Sequence, residues 1–144
     1  MSLKKHYSNL VKFYYAAPIN QDLKPNLVVK KGKSTLITTI QERHFHSGNA
    51  AHGSIIFKTL DDAAYFAAHS LVQSHFLVTM SLTCQFIKPV FAETITSIGH
   101  VIQHSNRFVV SEATSYNKNN DVVAHGTGRF CCSKILLSSL MDTI

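Results

Sequence analysis

Residues 46–68, HSGNAAHGSIIFKTLDDAAYFAA, constrain this chain more than any other stretch. The first half is small and polar, with Gly48, Asn49, Ala50, Ala51 and Gly53 around two histidines. From Ile55 it becomes strongly apolar, broken only by Lys58, Asp61 and Asp62. This is the pattern of a loop running into a helix that the rest of the chain must cover. Ser54 is the expected N-cap, and Gly53 before it lets a ligand or another backbone come close to the first amides. Those amides have no partner inside the helix and carry the positive end of its dipole, so they suit an anion or a developing oxyanion.

At helical spacing Lys58, Asp62, Tyr65 and His69 form a polar stripe in which Lys58 and Asp62 are neighbours, and His69 reads as a satisfied histidine on it. Asp61 is turned about 100° from Asp62, beside Phe57, Ala64 and Ala68. Desolvation there raises a carboxylate's pKa unless a partner such as Lys58 offsets it. Asp61 is the candidate base or nucleophile, and an ordinary pairing with Lys58 is the plainer reading. Gly53 and Asp61 are eight residues apart, about 12 Å of helical rise. One helix therefore cannot bring both to a single reacting carbon, and two subunits must supply them if both act.

The rest of the chain reads as strands. A short amphipathic helix over 6–16 stops before Pro18. Residues 17–33 are connection, with a short edge strand at Leu27, Val28 and Val29, and 34–45 is a strand leading into the glycine-rich loop. Over 76–86 the alternation sets Phe76, Val78, Met80, Leu82, Cys84 and Phe86 on one face, opposite Leu77, Thr79, Ser81, Thr83 and Gln85. Strands over 93–104, 107–117 and 122–133 follow, with turns at Ser105-Asn106 and Asn119-Asn120-Asp121 and a bulge or bend expected at Gly99. Gly126 and Gly128 leave two gaps on one face. A long helix followed by a meander of four strands, with a further strand before it, buries that helix only if the sheet curls around it. The expected class is α+β, an antiparallel sheet of five to six strands around a central helix. The free edge asks for a second copy.

His52-Gly53, with Asp61 nine residues after the histidine and a polar side chain six residues before it, resembles the signature of hotdog-fold acyl-CoA thioesterases of the phenylacetic-acid-degradation type. The resemblance runs from about Val28 to Cys132. It implies a single hotdog domain over 1–144, with an N-terminal helix and connection at 1–33, a core at 34–133 and a C-terminal tail at 134–144. It also implies that the Gly53 amide polarises the thioester carbonyl while Asp61 of the facing subunit activates water or attacks. The chain departs from the family at His46, where Asn or Gln is usual, and at Ser54, where a second glycine is usual. His46 is then a candidate donor orienting substrate or water, and His52 shapes the loop. Thr79 lies where relatives often carry a Ser or Thr that orients the water. The turn Asn106-Arg107 resembles the family's CoA-binding hairpin, with Lys88, Arg129 and Lys134 as further phosphate contacts. The expected assembly is a homodimer or dimer of dimers acting on an acyl-CoA, with coenzyme A as part of the substrate and no separate cofactor.

Composition narrows the remaining classes. A net charge of +6 invites nucleic acid, but the basic residues form no run and match no nucleic-acid fold signature, whereas a positive field also suits CoA phosphates. No apolar run reaches the length of a membrane span, and Lys12 breaks the apolar part of a signal peptide, so the chain reads as cytoplasmic. Cys84, Cys131 and Cys132 form no framework, and the adjacent Cys131 and Cys132, on opposite faces of a strand, read as packed thiols. His44 and His46 would share a strand face with His52 nearby, but no acidic or cysteine ligand stands at zinc spacing, so no metal is expected. Two alternatives stay open. One is a hotdog dehydratase or hydratase, whose usual Asp and His spacing the chain does not reproduce. The other is a non-catalytic acyl-CoA-binding protein.

Overall fold

The computed structural model describes all 144 residues. Helix α1 (Leu3–Ala16) is capped by the Ser2 hydroxyl and buries His6, Leu10 and Tyr14 at steps of four. It ends where Pro18 forbids continuation. A one-turn helix, α2 (Asn20–Leu23), precedes the hairpin of β1 (Asn26–Lys30) and β2 (Lys33–Thr39), closed by Gly32 at φ 67°. Strand β2 stops six residues short of the expected 45. The chain instead makes a 3-10 turn, Glu42–His44, and a loop that enters helix α3 (Gly53–His69).

Strands β3 (His75–Phe86), β4 (Thr94–His104), β5 (Phe108–Tyr116) and β6 (Val122–Leu136) follow, then a short α4 (Leu137–Met141). The sheet has six antiparallel strands in the order β1-β2-β4-β5-β6-β3. This is the expected hotdog arrangement, with one correction. Only β4, β5 and β6 form a meander, and β3 pairs with β6 rather than β4. The connection over 87–93 crosses the sheet end, where the Ile87 and Lys88 amides donate to Val123 O. As a result β1 and β3 are the two edges.

Helix α3 lies in the concave face on Ala63, Ala64, Ala67 and Ala68, all fully buried. Small side chains let it come very close. A Cβ on Gly99 would sit 2.1 Å from Ala63 O, so the glycine is required by the helix backbone above it. The expected bulge is not there, since Gly99 pairs in register with Ser34 and Ala113; it falls at Ile102 instead. A second bulge changes β3. Thr79 faces Phe130 and Ser81 faces Arg129, so Met80 is the extra residue. Leu77 and Thr79 therefore point inward, the pattern flips, and Leu82 and Cys84 point inward beyond it, opposite Gly128 and Gly126. The single continuous face expected over 76–86 is two half-faces of opposite sense. The two glycine gaps receive Leu82, Leu60 and the ring of Phe130. No helix is long and apolar enough to cross a membrane.

Candidate functional site

The loop before α3 is tied to its surroundings by backbone bonds. His46 N donates to Ala50 O, His52 N to His44 O and Ala51 N to Val90 O, at 2.8 to 2.9 Å. The N-cap of α3 is His52 and not Ser54. Its Nδ1 accepts the Ser54 amide at 3.0 Å and lies 2.8 Å from Ser54 Oγ. The imidazole reaches the second helical amide, which the shorter Ser54 side chain, already inside the first turn, cannot do. The Gly53 amide donates to nothing in the chain. It borders a recess of about 300 Å³ shared with His46, Phe86, Lys88 and Val90. A Cβ on Gly53 would meet the Phe86 ring at 3.3 Å. His46 Nδ1 is taken by the Gly48 amide at 2.9 Å, which leaves Nε2 for other partners.

Two turns along α3, Asp61 is half-buried at the rim of a different cavity, about 800 Å³, lined by α1, α3, β3 and the C-terminal residues. Thr79 donates to Asp61 Oδ1 at 3.1 Å, because the half of β3 before the bulge points that hydroxyl inward. Burial pushes the Asp61 carboxyl above the usual carboxylate range, and neighbouring Asp62 adds to this. The Thr79 hydrogen bond and Lys58 act the other way. Asp62 is occupied by Lys58 and by the Tyr14 hydroxyl at 2.7 Å. Lys58 also donates to Asn20 Oδ1 at 2.7 Å. Tyr65, further along the stripe, donates to Leu77 O at 2.8 Å. His69 at its end is wholly buried with Nδ1 on Val72 O, so the stripe expected to be polar is largely interior.

The structure thus brings together His46 and Gly53 at one end of α3 and Asp61 and Thr79 in its middle. The recess and the cavity share no lining residue. His44 and His46 do not share a strand face. His44 lies in the 3-10 turn, where Nδ1 accepts the Gln41 amide and Nε2 faces Asp22 at 3.8 Å. Asn106 and Arg107 form the β4–β5 turn beyond the C-terminal end of α3. Asn106 borders a polar cleft with His75 and His104, and Arg107 makes no ion pair. Lys88 and Arg129 are already engaged, Lys88 with Asp121 at 3.5 Å and Arg129 over the Phe108 ring at 4.8 Å. They are therefore poorer phosphate contacts than the charge pattern suggested. Tyr14 of α1 and Asn20 of α2, which the sequence did not mark as site residues, close the wall beside Asp61. The signal was the step of four linking Tyr14 to Leu10 and His6.

The sequence model of the Thioesterase superfamily matches residues 48–124, more than half of the chain, and the chain belongs to that family. A protein of Saccharolobus solfataricus named as a candidate esterase is 29% identical over 100 residues, covering 69% of this chain and 67% of its own. Among solved structures, the PaaI protein of the phenylacetic acid degradation operon of E. coli superposes with a TM-score of 0.86. It is 22% identical and covers 94% of this chain and 99% of that one. The Streptococcus mutans protein smu.793, solved bound to acetyl-CoA, gives a TM-score of 0.70 at 20% identity, over 76% and 88% of the two chains. These two likenesses share the hotdog fold.

Proposed function

We propose that the protein is an acyl-CoA thioesterase acting as a homodimer, with each active site assembled from two chains. The observation that carries this is the division of the chemistry. An unpaired amide at Gly53 and a desolvated carboxylate at Asp61 border separate hollows, and both flank the free edge strand β3. β3 exposes Val78, Met80 and Phe86. Long apolar edges of this kind favour pairing with a second copy. An antiparallel β3–β3 pair with its twofold near Leu82 and Thr83 sets Thr79 of one chain opposite Phe86 of the other. Asp61 of one chain is thereby brought toward Gly53 of its partner.

In this arrangement the thioester carbonyl oxygen points at the Gly53 amide, with His46 Nε2 as a second group within the same recess. Thr79 holds one carboxylate oxygen of Asp61, and the other takes a proton from water as the water oxygen bonds to the carbonyl carbon. The tetrahedral oxyanion then re-forms the carbonyl, the C–S bond breaks, and the leaving thiolate takes the proton from Asp61, which restores the carboxylate. Arg107 and the Asn106 turn are the groups offered to the CoA phosphates. Family membership and the acetyl-CoA held by a protein of the same fold support the choice of a CoA thioester.

Thiol release from a panel of acyl-CoAs tests the reading, with Asp61→Ala alongside. Turnover in Asp61→Ala should fall at least about a hundredfold with the dimer intact. Full activity in that variant rejects it. Hydration of crotonyl-CoA, seen as loss of the enoyl absorbance without thiol release, would favour the dehydratase alternative.

A further inference from the structure

The cavity beside Asp61 carries information about the acyl group. It extends along β3 from Thr79 back to Phe76, about 10 Å of strand. Its other walls are Phe13 of α1, Tyr65 of α3, and Leu140 and Ile144 of the C-terminal segment. Away from Asp61, its main polar wall groups are already hydrogen-bonded within the protein. Tyr14 and Lys58 hold Asp62, Lys58 also holds Asn20 Oδ1, Asn20 Nδ2 donates to Tyr14 O at 2.7 Å, and the Tyr65 hydroxyl is on Leu77 O. Each of these side chains already has a partner in the wall, and the rest of the lining away from Asp61 is mainly apolar, with Phe13, Phe76, Leu77, Val78, Leu140 and Ile144, so a polar substituent on the acyl group meets mostly apolar surface there.

Size points the same way. With about 30 Å³ per methylene-sized group, the share of one water in the liquid, a nine-atom arylacetyl group fills roughly a third of the 800 Å³, while a sixteen-carbon chain fills more than half. A largely empty apolar cavity forfeits the contacts its walls could make. We propose that this cavity takes the unsubstituted aliphatic chain of an acyl-CoA of about 12 to 16 carbons, and that α1 and the C-terminal segment, through Phe13 and Leu140, set the length accepted. The hydrolase reading above supplies the thioester; the cavity alone supplies the chain.

The test uses S-alkyl-CoA thioethers from butyl to octadecyl, with S-phenylethyl-CoA, titrated calorimetrically into the full chain, beside thiol release from the matching acyl-CoAs. Affinity should rise roughly fourfold per methylene between six and twelve carbons and level off near sixteen. Leu140→Trp should move the levelling point down by at least about two carbons, Leu140→Ala should move it up, and Phe13→Trp repeats the contraction from the opposite wall. Affinities flat beyond butyl, tighter binding of phenylethyl than of dodecyl, or a levelling point unmoved in Leu140→Trp and Phe13→Trp would overturn the proposal. Chain-dependent affinity without thiol release supports the cavity assignment and sinks the hydrolase reading. Thiol release indifferent to chain length does the reverse.

Discussion

Mixing two inactive variants gives a numerical test of sites shared between chains. Asp61→Ala removes the base. Gly53→Pro removes the free amide with little harm to the fold, because Gly53 is the first residue of α3, where proline is tolerated. His52 before it has φ −60° and ψ 138°, an extended geometry that a following proline accepts. The added Cβ meets only the edge of the Phe86 ring at 3.3 Å. Each variant alone should retain about a hundredth of normal turnover or less. After mild dissociation and reassociation of an equal mixture, half the dimers are mixed. Each mixed dimer has one site with both groups intact and one with neither. Activity should therefore recover to roughly a quarter of wild type. The assay is thiol release before and after exchange, with differently tagged subunits to count mixed dimers. Recovery no greater than the sum of the two variants, with mixed dimers present, would refute a site built from two chains.

The remaining predictions concern single positions. Thr79→Ala should shift the acid limb of kcat/KM to higher pH. The base must be ionised, burial already lifts the Asp61 carboxyl, and the lost hydrogen bond favoured its charged form; a limb that stays put or moves down counts against the role. His69 is buried and pushed down to about 4 by desolvation, so the unfolded chain takes up a proton that the folded chain refuses. Stability to urea should therefore fall as pH drops from 6.5 toward 4, by up to on the order of 3 kcal/mol, and His69→Gln should flatten that slope. Gly99→Ala places a methyl 2.1 Å from Ala63 O and 2.9 Å from Ala64 N, backbone atoms with no side chain to yield. It should cost about 3 kcal/mol in urea denaturation, and a loss under about 1 kcal/mol would show that α3 shifts freely.

The spans of elements were legible wherever turn residues bounded a periodic stretch. Helix α3 and strands β4, β5 and β6 fall within a few residues of where spacing and turn residues set them. The inner sense of β3 was not legible. Val78, Met80 and Phe86 are apolar yet exposed at an edge, so apolar residues occupy both faces and alternation alone cannot reveal an inserted residue. Strand partners were hidden for a related reason. A connection of seven residues over 87–93 is compatible with a wide turn or a crossover, and only the packing of β3 on β6 decides. Gly99 looked like a local irregularity because its cause, the backbone of Ala63, lies thirty-six residues away. In the candidate site, Asp61 and Gly53 stood out by residue type and spacing. The Thr79 contact depends on the bulge, and the network of Tyr14, Asn20, Lys58 and Asp62 on the docking of α1, whose buried face the step of four marks without saying what it packs on.

Met80 acts on β3 as a change of phase. Ahead of it the strand delivers a hydroxyl to Asp61; behind it the same strand stoppers the hollows over Gly126 and Gly128. Side chains on this strand can be exchanged one at a time, but its length cannot drift. Removing or adding one residue between Thr79 and Leu82 would swap inside for outside on one half, and either the carboxylate would lose its hydroxyl or the sheet its plug.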